Sequence, residues 1–553
     1  MKNKLLTFFM TAIVCLTPLR MYAETYSGTC GENLTWTLDV ETGTLTISGT
    51  GAMTDYDDIE YDYENDNYIS NAPWMPHQSA LKTLKIEEGI TYIGIGAFMG
   101  CSSLTSVEIP NSVTSIGLVT FSGCSRLTSV TIPNSVTGIG WGAFRSCFSM
   151  TSIEIPNSVT YIGGAAFEGC GSLTSIEIPN SVASIEDGIF QECHSLTSIA
   201  LPNNITSIGN YAFYYCESLT SITIPNSVMS IGDYAFSDCS SLTSVNIPDN
   251  VTSIGEYAFS GCSSWTSSIE IPNGVTSIEN SAFAGCSGLT SIEIPSSVTS
   301  IGERAFEGCR GLTSIEIPNS ITSIANEVFL VCSGLTSVTI PHSVTSIGEN
   351  AFGGCSGLTS MEIPNSVTSI GNGAFAFCNS LVSITIPNHV KSIGYSAFMG
   401  CSSLTSIEIP TNVTSIEYGT FYDCSSLTSL TIPSKITEIG NFAFSNCTGL
   451  TSITSEAITP PVCDEKAFES LDKSIPLYVP DGSVEAYAEA YGWKDFINIH
   501  PASELPTAID EINETTSSSV NPEGIIRKVL IGGTMYIQMP DGRMYDLQGK
   551  LIQ

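Results

Sequence analysis

The side chains here with most scope for chemistry are the cysteines, a set of glutamates and one acidic loop. Sixteen cysteines fall at positions 101, 124, 147, 170, 193, 216, 239 and 262, then at 286, 309, 332, 355, 378, 401, 424 and 447. The step is 23 residues throughout, except that Ser267-Ser268 adds one residue between 262 and 286. Thiols act as nucleophiles, disulfide partners or metal ligands. Zinc sites need cysteines a few residues apart or Cys/His clusters, and the sequence contains neither. Thiols in register on neighbouring strands sit about 5 Å apart, with Cβ atoms wider apart than a disulfide prefers. The spacing therefore predicts a column of free, buried thiols serving as small apolar side chains.

The glutamates share a second repeated position: Glu108, Glu154, Glu177, Glu270, Glu293, Glu316, Glu362 and Glu408. Elsewhere that position holds Lys85, Ala200, Asn246 or a threonine, such as Thr131 or Thr339. Beside it runs a row of hydroxyls, from Thr83 and Ser106 to Ser429. These eight glutamates are the candidate ligand-binding residues, a face for basic or hydroxyl-bearing partners. Stacked carboxylates also recruit cations. The plainer alternative is a solvated strand face. Asp55, Asp57, Asp58, Glu60, Asp62, Glu64 and Asp66 crowd one loop, but Asn67 stands where a calcium loop of the EF-hand kind needs glycine. The five histidines, His77, His194, His342, His389 and His500, are scattered. No G-x-S-x-G, H-E-x-x-H or phosphate-loop spacing occurs. The sequence predicts no enzyme, no cofactor and no metal site.

Something must hold these positions in register. The chain has 553 residues and a formal net charge of −36, yet only 13% of its residues are charged. Such acidity excludes nucleic acid as a partner, because phosphate binding needs a basic face. The apolar content excludes general disorder. One unit reads C-S-S-L-T-S-V-E-I-P-N-S-V-T-S-I-G from Cys101 to Gly117 and reaches Phe121 before the next cysteine. Leu104, Val107 and Ile109 form an L-x-x-L-x-L core, and a fixed period of this length is a leucine-rich repeat signature. Alternation puts Val107 and Ile109 inward and Ser106 and Glu108 outward on a short strand. Pro110-Asn111-Ser112 ends that strand. Val113, Ile116, Phe121 and Cys101 close the core on a return path expected to be loop or a short helical turn. No unit buries these residues alone, whereas stacked units do. The fold class expected is a repeat solenoid with short parallel β-strands, a β-rich N-terminal cap and a mixed C-terminal cap.

The motif L-x-x-[LIV]-x-I-P-x-x-[VI]-x-x-I-G-x-x-A-F-x-x-C runs from Leu81 to Cys447 and resembles the BspA-like, or Treponema pallidum-type, leucine-rich repeat surface proteins. Local departures are Met150 and Trp265 for leucine, and Glu186, Glu279, Ala325 and Glu417 for glycine. The resemblance implies a bacterial cell-surface or secreted protein that binds host matrix proteins or other cell-surface proteins. A structural spacer is one alternative. Glycan binding by scattered aromatics such as Trp141, Tyr214 and Tyr215 is another.

The ends read differently. Residues 1–23 look like an export signal, with Lys2 and Lys4 before the apolar run Leu5–Leu16. No later segment is apolar enough for a transmembrane helix. Residues 24–80 read as a β-cap, 81–449 as sixteen repeats, and 450–500 as a degenerate repeat plus C-terminal cap. In that cap Pro476–Pro480 is expected to be the last strand and Ser483–Tyr491 a short helix. Residues 501–525 read as a linker. Residues 526–553 read as a β-hairpin turning at Pro540-Asp541-Gly542, and they resemble C-terminal segments that sort or anchor exported Bacteroidetes proteins.

Overall fold

The computed structural model describes residues 24–62, 67–505, 527–531, 534–538 and 543–546. The export-signal reading and most of the linker reading lie outside the described residues, as do the side chains of the acidic loop from residue 59 to 69. The chain divides into two compact units, Met1–Val275 and Thr276–Gln553. Each is a β-solenoid built on the 23-residue repeat.

The first unit opens with an antiparallel meander of β1 (Thr25–Gly31), β2 (Leu34–Asp39) and β3 (Thr44–Gly49). β3 then pairs in parallel with Thr83–Ile86, placing Leu45 beside Leu84 and Ile47 beside Ile86. Thr83–Ile86 pairs in turn with Ser106–Glu108. The cap thus presents its last strand as if it were one more turn of the array. On the return path, where loop or a helical turn is expected, the backbone instead forms a second parallel ladder. Ile90–Ile93, Ser115–Ile116, Gly138–Ile139 and Tyr161–Ile162 lie side by side, with Gly51–Ala52 of the cap at the edge. A third set of inter-turn hydrogen bonds follows the conserved-position phenylalanines, as in Phe121 N–H to the Ala143 carbonyl at 2.8 Å. Backbone polar groups on all three sides therefore pair from turn to turn, as burial requires.

The core of this unit is a set of columns. Phe98, Phe121, Phe144, Phe167, Phe190, Phe213, Phe236 and Phe259 are buried, and successive rings stack with centroids 5.1–5.8 Å apart. Trp74 closes the open end. It stacks on Phe98 at 5.2 Å, and its indole N–H donates to the Ala97 carbonyl at 2.8 Å.

The second unit repeats these features and ends in its own cap. Its phenylalanine column runs from Phe283 through Phe306 to Phe444 and Phe468. Trp493 and Phe496 pack against Phe468 at 5.1 and 5.5 Å. The parallel sheet of Ser429–Ile432, Ser452–Ser455 and Leu477–Val479 does not end there, as the sequence suggests. Ile499–Pro501 adds a further strand, with Tyr478 beside His500, so the cap extends into the expected linker through a short turn at Ala502–Glu504. The expected helix is α1 (Val484–Glu489), shorter than predicted. Its Tyr487 is buried, and the phenol donates to the Ala457 carbonyl at 2.7 Å. Near the C-terminus, Lys528–Gln538 is not one strand of a hairpin. Arg527–Ile531 and Thr534–Gln538 are themselves antiparallel, and Met544–Asp546 pairs with the second. Alternation alone cannot show a reversal inside an alternating run.

Two residues in each turn adopt the left-handed backbone. In the turn before Cys193 they are Gly188 (φ 63) and Glu192 (φ 59). At the first of these positions the array uses glycine in several turns, as at Gly96, Gly142 and Gly373, and larger residues in others, as at Arg304 and Tyr234. A bulky side chain there costs about 1–2 kcal/mol relative to glycine.

Candidate functional site

The glutamates expected to form a binding face are all exposed, because each directly follows a residue that is buried in the core; all but Glu408 end a short strand. In the first unit Ser152–Glu154 buries Ile153 and exposes Glu154, and Ser175–Glu177 does the same around Ile176. Glu154 lies in register with Thr131, and Glu177 with Ala200. Glu154 and Glu177 line one open groove of about 970 Å³, together with Thr131, Ser152, Ser175 and Ser198. Glu108 lies toward the cap, with Lys85 beside it in register, and Glu270 ends the last strand of this unit. In the second unit Glu293, Glu316, Glu362 and Glu408 are exposed. Glu316 has Thr339 in register, and Glu362 has Thr385. The eight are therefore distributed rather than gathered into one centre. None pairs with a basic side chain among the described residues. Within the same set, no three His, Cys, Asp or Glu side chains lie close enough to hold a metal ion.

The hydroxyls divide into two roles. The serines next to the glutamates, such as Ser106, Ser152 and Ser175, are exposed. The threonines just before them knit the backbone. Thr105, Thr197, Thr220 and Thr243 each donate to a carbonyl one turn earlier, at 2.9–3.2 Å.

The cysteine column is likewise structural. The described cysteines are all buried thiols. Cys147, Cys193, Cys216 and Cys239 each donate to the carbonyl of a phenylalanine 26 residues back, at 3.2 Å. Burial pushes the Cys101 and Cys170 thiols up to about 12, which removes the thiolate that nucleophilic or metal chemistry needs.

Other side chains show roles that the sequence reading missed. Asp55 of the acidic loop accepts from the Ile95 N–H and from the Tyr92 phenol, both at 2.9 Å. The same bracket recurs down the first unit, where Asp187 accepts from Asn210 N–H, Asn210 from Asp233 N–H, and Asp233 from Glu256 N–H, at 2.7–2.9 Å. Asp55 makes this bracket at the cap end, Ile95, Leu118, Trp141 and Gly164 interrupt it over the next four turns, and it resumes at Asp187. Glu186, Glu279 and Glu417, which replace glycine, each accept from the serine two residues before. The aromatics are not all scattered either. Tyr214 and Tyr215 join Tyr211, Tyr234 and Tyr257 in one cluster, and the 23-residue spacing of Tyr211, Tyr234 and Tyr257 is the signal that reveals it. Trp141 stands apart, 44% exposed, with the Arg145 guanidinium 5.9 Å from its ring.

Comparison with known proteins follows from these columns. The family model for the BspA-type leucine-rich repeat region matches residues 77–196, 138–266, 265–382 and 345–475. The chain belongs to the BspA-type leucine-rich repeat family. A leucine-rich repeat protein from Bacteroides ovatus is 30% identical over 72% of this chain and 94% of its own, with a TM-score of 0.48. One from Eubacterium ventriosum is 25% identical over 70% and 97%, with a TM-score of 0.44. A leucine-rich cell surface protein from Faecalibacterium prausnitzii is 29% identical over 69% and 94%, with a TM-score of 0.39. No curated protein matches. The BspA-type pattern accounts for the buried Leu, Ile, Phe and Cys columns, and it leaves the exposed strand position free to vary between Glu and Thr. Among the described residues, no helix is long and apolar enough to cross a membrane.

Proposed function

We propose that this BspA-type protein is exported and binds proteins at the cell surface or outside the cell through its acidic strand faces. The observation that carries this reading is the groove of the first unit, where Glu154 and Glu177 stand exposed and unpaired among Thr131, Ser152 and Ser175. A shallow, repetitive face of this kind suits many weak, equivalent contacts. Linked contacts raise the effective concentration of each next one, so avidity replaces a single deep pocket. Host matrix proteins or other cell-surface proteins are the partner class that the family resemblance implies. The net charge of −36 favours basic patches or cation-bridged contacts on that partner.

The test replaces the eight glutamates with threonine, which already occupies the position at Thr131, Thr223, Thr339, Thr385 and Thr431. Binding to immobilised matrix proteins is then measured at low and high salt. Loss of salt-sensitive adhesion is expected, since exposed charges are screened within about 10 Å at 0.1 M ionic strength. Adhesion unchanged by the substitutions would remove the strand face from the mechanism and leave the spacer reading.

A further inference from the structure

We propose that the tyrosine cluster of the first unit is a second docking surface, one that takes a basic polypeptide segment through its arginine or lysine side chains. It lies off the strand positions and stands independently of the glutamate face. Tyr211 and Tyr234 stack with centroids 4.8 Å apart, and Tyr234 and Tyr257 at 4.6 Å, with planes within 7°. Tyr214 sits edge-on to both Tyr211 and Tyr234, at 5.6 and 6.0 Å, and Tyr215 lies 4.3 Å from Tyr214. Five rings thus share three turns.

The fold has no need of them. The core of these turns is supplied by Phe213, Phe236 and Phe259, which are fully buried. The tyrosines lie outside that column, and Tyr211 and Tyr215 are 38% and 36% exposed. Tyr211, Tyr234 and Tyr257 also occupy the left-handed position, with φ of 56°, 56° and 54°. Glycine holds this position in some turns, and Val119, Ala165, Ser281, Arg304 and Asn350 hold it in others at similar φ, so the backbone is common to the array. What sets these three consecutive turns apart is that each places an aromatic ring there, outside the core.

Charge selects the occupant. No lysine or arginine occurs between Arg145 and Arg304. Asp187, Asp233 and Glu256 precede the stacked position by one residue in their turns, Asp238 lies by Tyr214, and Glu217 lies by Asp238. Burial, together with Tyr215 and Asp238, pushes the Tyr214 phenol up to about 12. Both faces of Tyr234 are covered by its neighbours, so the middle of the stack offers edges and hydroxyls rather than the open faces that a sugar ring packs against. The outer side of Tyr211 is different, because the same position one turn earlier is Gly188. A guanidinium or ammonium needs one such face and a nearby carboxylate, and both are present.

The probe is a fluorescein-labelled peptide of alternating arginine and glycine, titrated into the full chain by anisotropy. Its citrulline analogue, with the same shape and no charge, serves as control. Tyr211→Gly, Tyr234→Gly and Tyr257→Gly together leave the net charge unchanged, so diffuse attraction to an acidic protein survives them. We expect this variant to lose affinity about tenfold, while Glu154→Thr with Glu177→Thr changes it less than about threefold. If the glycine variant fails to fold by circular dichroism, the triple serine variant replaces it, since Ser281 and Ser396 hold this position in other turns. Equal affinity in the tyrosine variants overturns the proposal. So does binding of a hexasaccharide such as cellohexaose without binding of the arginine peptide. Failure of the glutamate variant to adhere to matrix proteins bears on the strand face alone.

Discussion

The thiol is the residue whose role changes most between first sight and structure. The cysteines of the column fill small apolar niches; Cys147, Cys170 and Cys193 give their S–H to a phenylalanine carbonyl, and Cys101, at the cap end, meets the Met75 sulfur. Burial disfavours the thiolate, so the folded protein keeps protons that the unfolded chain gives up. The Cys101 and Cys170 thiols move from an ordinary value of 9.0 to about 12, and Cys124, Cys147 and Cys193 move in the same direction. Their stabilising effect is intact below the unfolded value and is lost as pH rises from there toward the folded one. Each such thiol removes about 1.4 kcal/mol per pH unit across that window. Guanidinium unfolding midpoints should therefore fall steeply as pH rises above about 9, and a flat profile would contradict the buried column. Thiol labelling at neutral pH should find the column unreactive until denaturant is added.

At the scale of elements, the caps do more than cover apolar ends. β3 joins the strand ladder, Gly51–Ala52 joins the return ladder, Asp55 brackets the Ile95 N–H as Asp187 and Asp233 bracket later turns, and Trp74 starts the aromatic column. The N-terminal cap thus supplies one mock turn, feature by feature. Asp55→Ala leaves the Ile95 N–H and the Tyr92 phenol without their acceptor and should cost about 1–2 kcal/mol. A thermal melt of the full chain checks this. Asp55→Asn, which keeps an acceptor oxygen, should recover most of the loss. If both variants melt like the parent, the bracket carries no stability. The C-terminal cap works similarly, with Trp493 and Phe496 against Phe468 and the Tyr487 phenol bonded to the Ala457 carbonyl.

At the scale of the whole molecule, the repeat length is itself a constraint. The columns link positions one period apart and the inter-turn hydrogen bonds recur with that period, so the period fixes which side chains face inward. Deleting residues 152–174 removes one complete 23-residue unit and should leave a folded, shorter array. One extra residue is already accommodated at Ser267-Ser268, but a half-unit deletion, 152–163, puts a return path where the strand should be and should unfold or aggregate. Circular dichroism and size exclusion distinguish the two, and equal tolerance would mean that the turns are not locked in register. The in-phase deletion also separates the functional readings. Avidity predicts that adhesion falls with each turn removed, whereas a spacer predicts only shorter reach.

The sequence by itself determined whatever repeats. Leu104, Val107, Ile116, Phe121 and Cys101 were legible as core, and Glu108, Glu154 and Glu177 as exposed, because a contact from one turn to the next recurs at constant spacing and writes itself into the chain sixteen times. The two-residue strands at Ser115–Ile116 were not legible, because such short strands exist only when a neighbouring turn supplies the hydrogen bonds. Nor was the last strand, Ile499–Pro501, or the role of Asp55, since each cap occurs once and has no second copy to reveal it. The tyrosine cluster lies between these cases. Its spacing was present in the sequence, but only the tertiary structure decided that Tyr211, Tyr234 and Tyr257 stack on one another outside the phenylalanine core, because the left-handed turn residue points away from it.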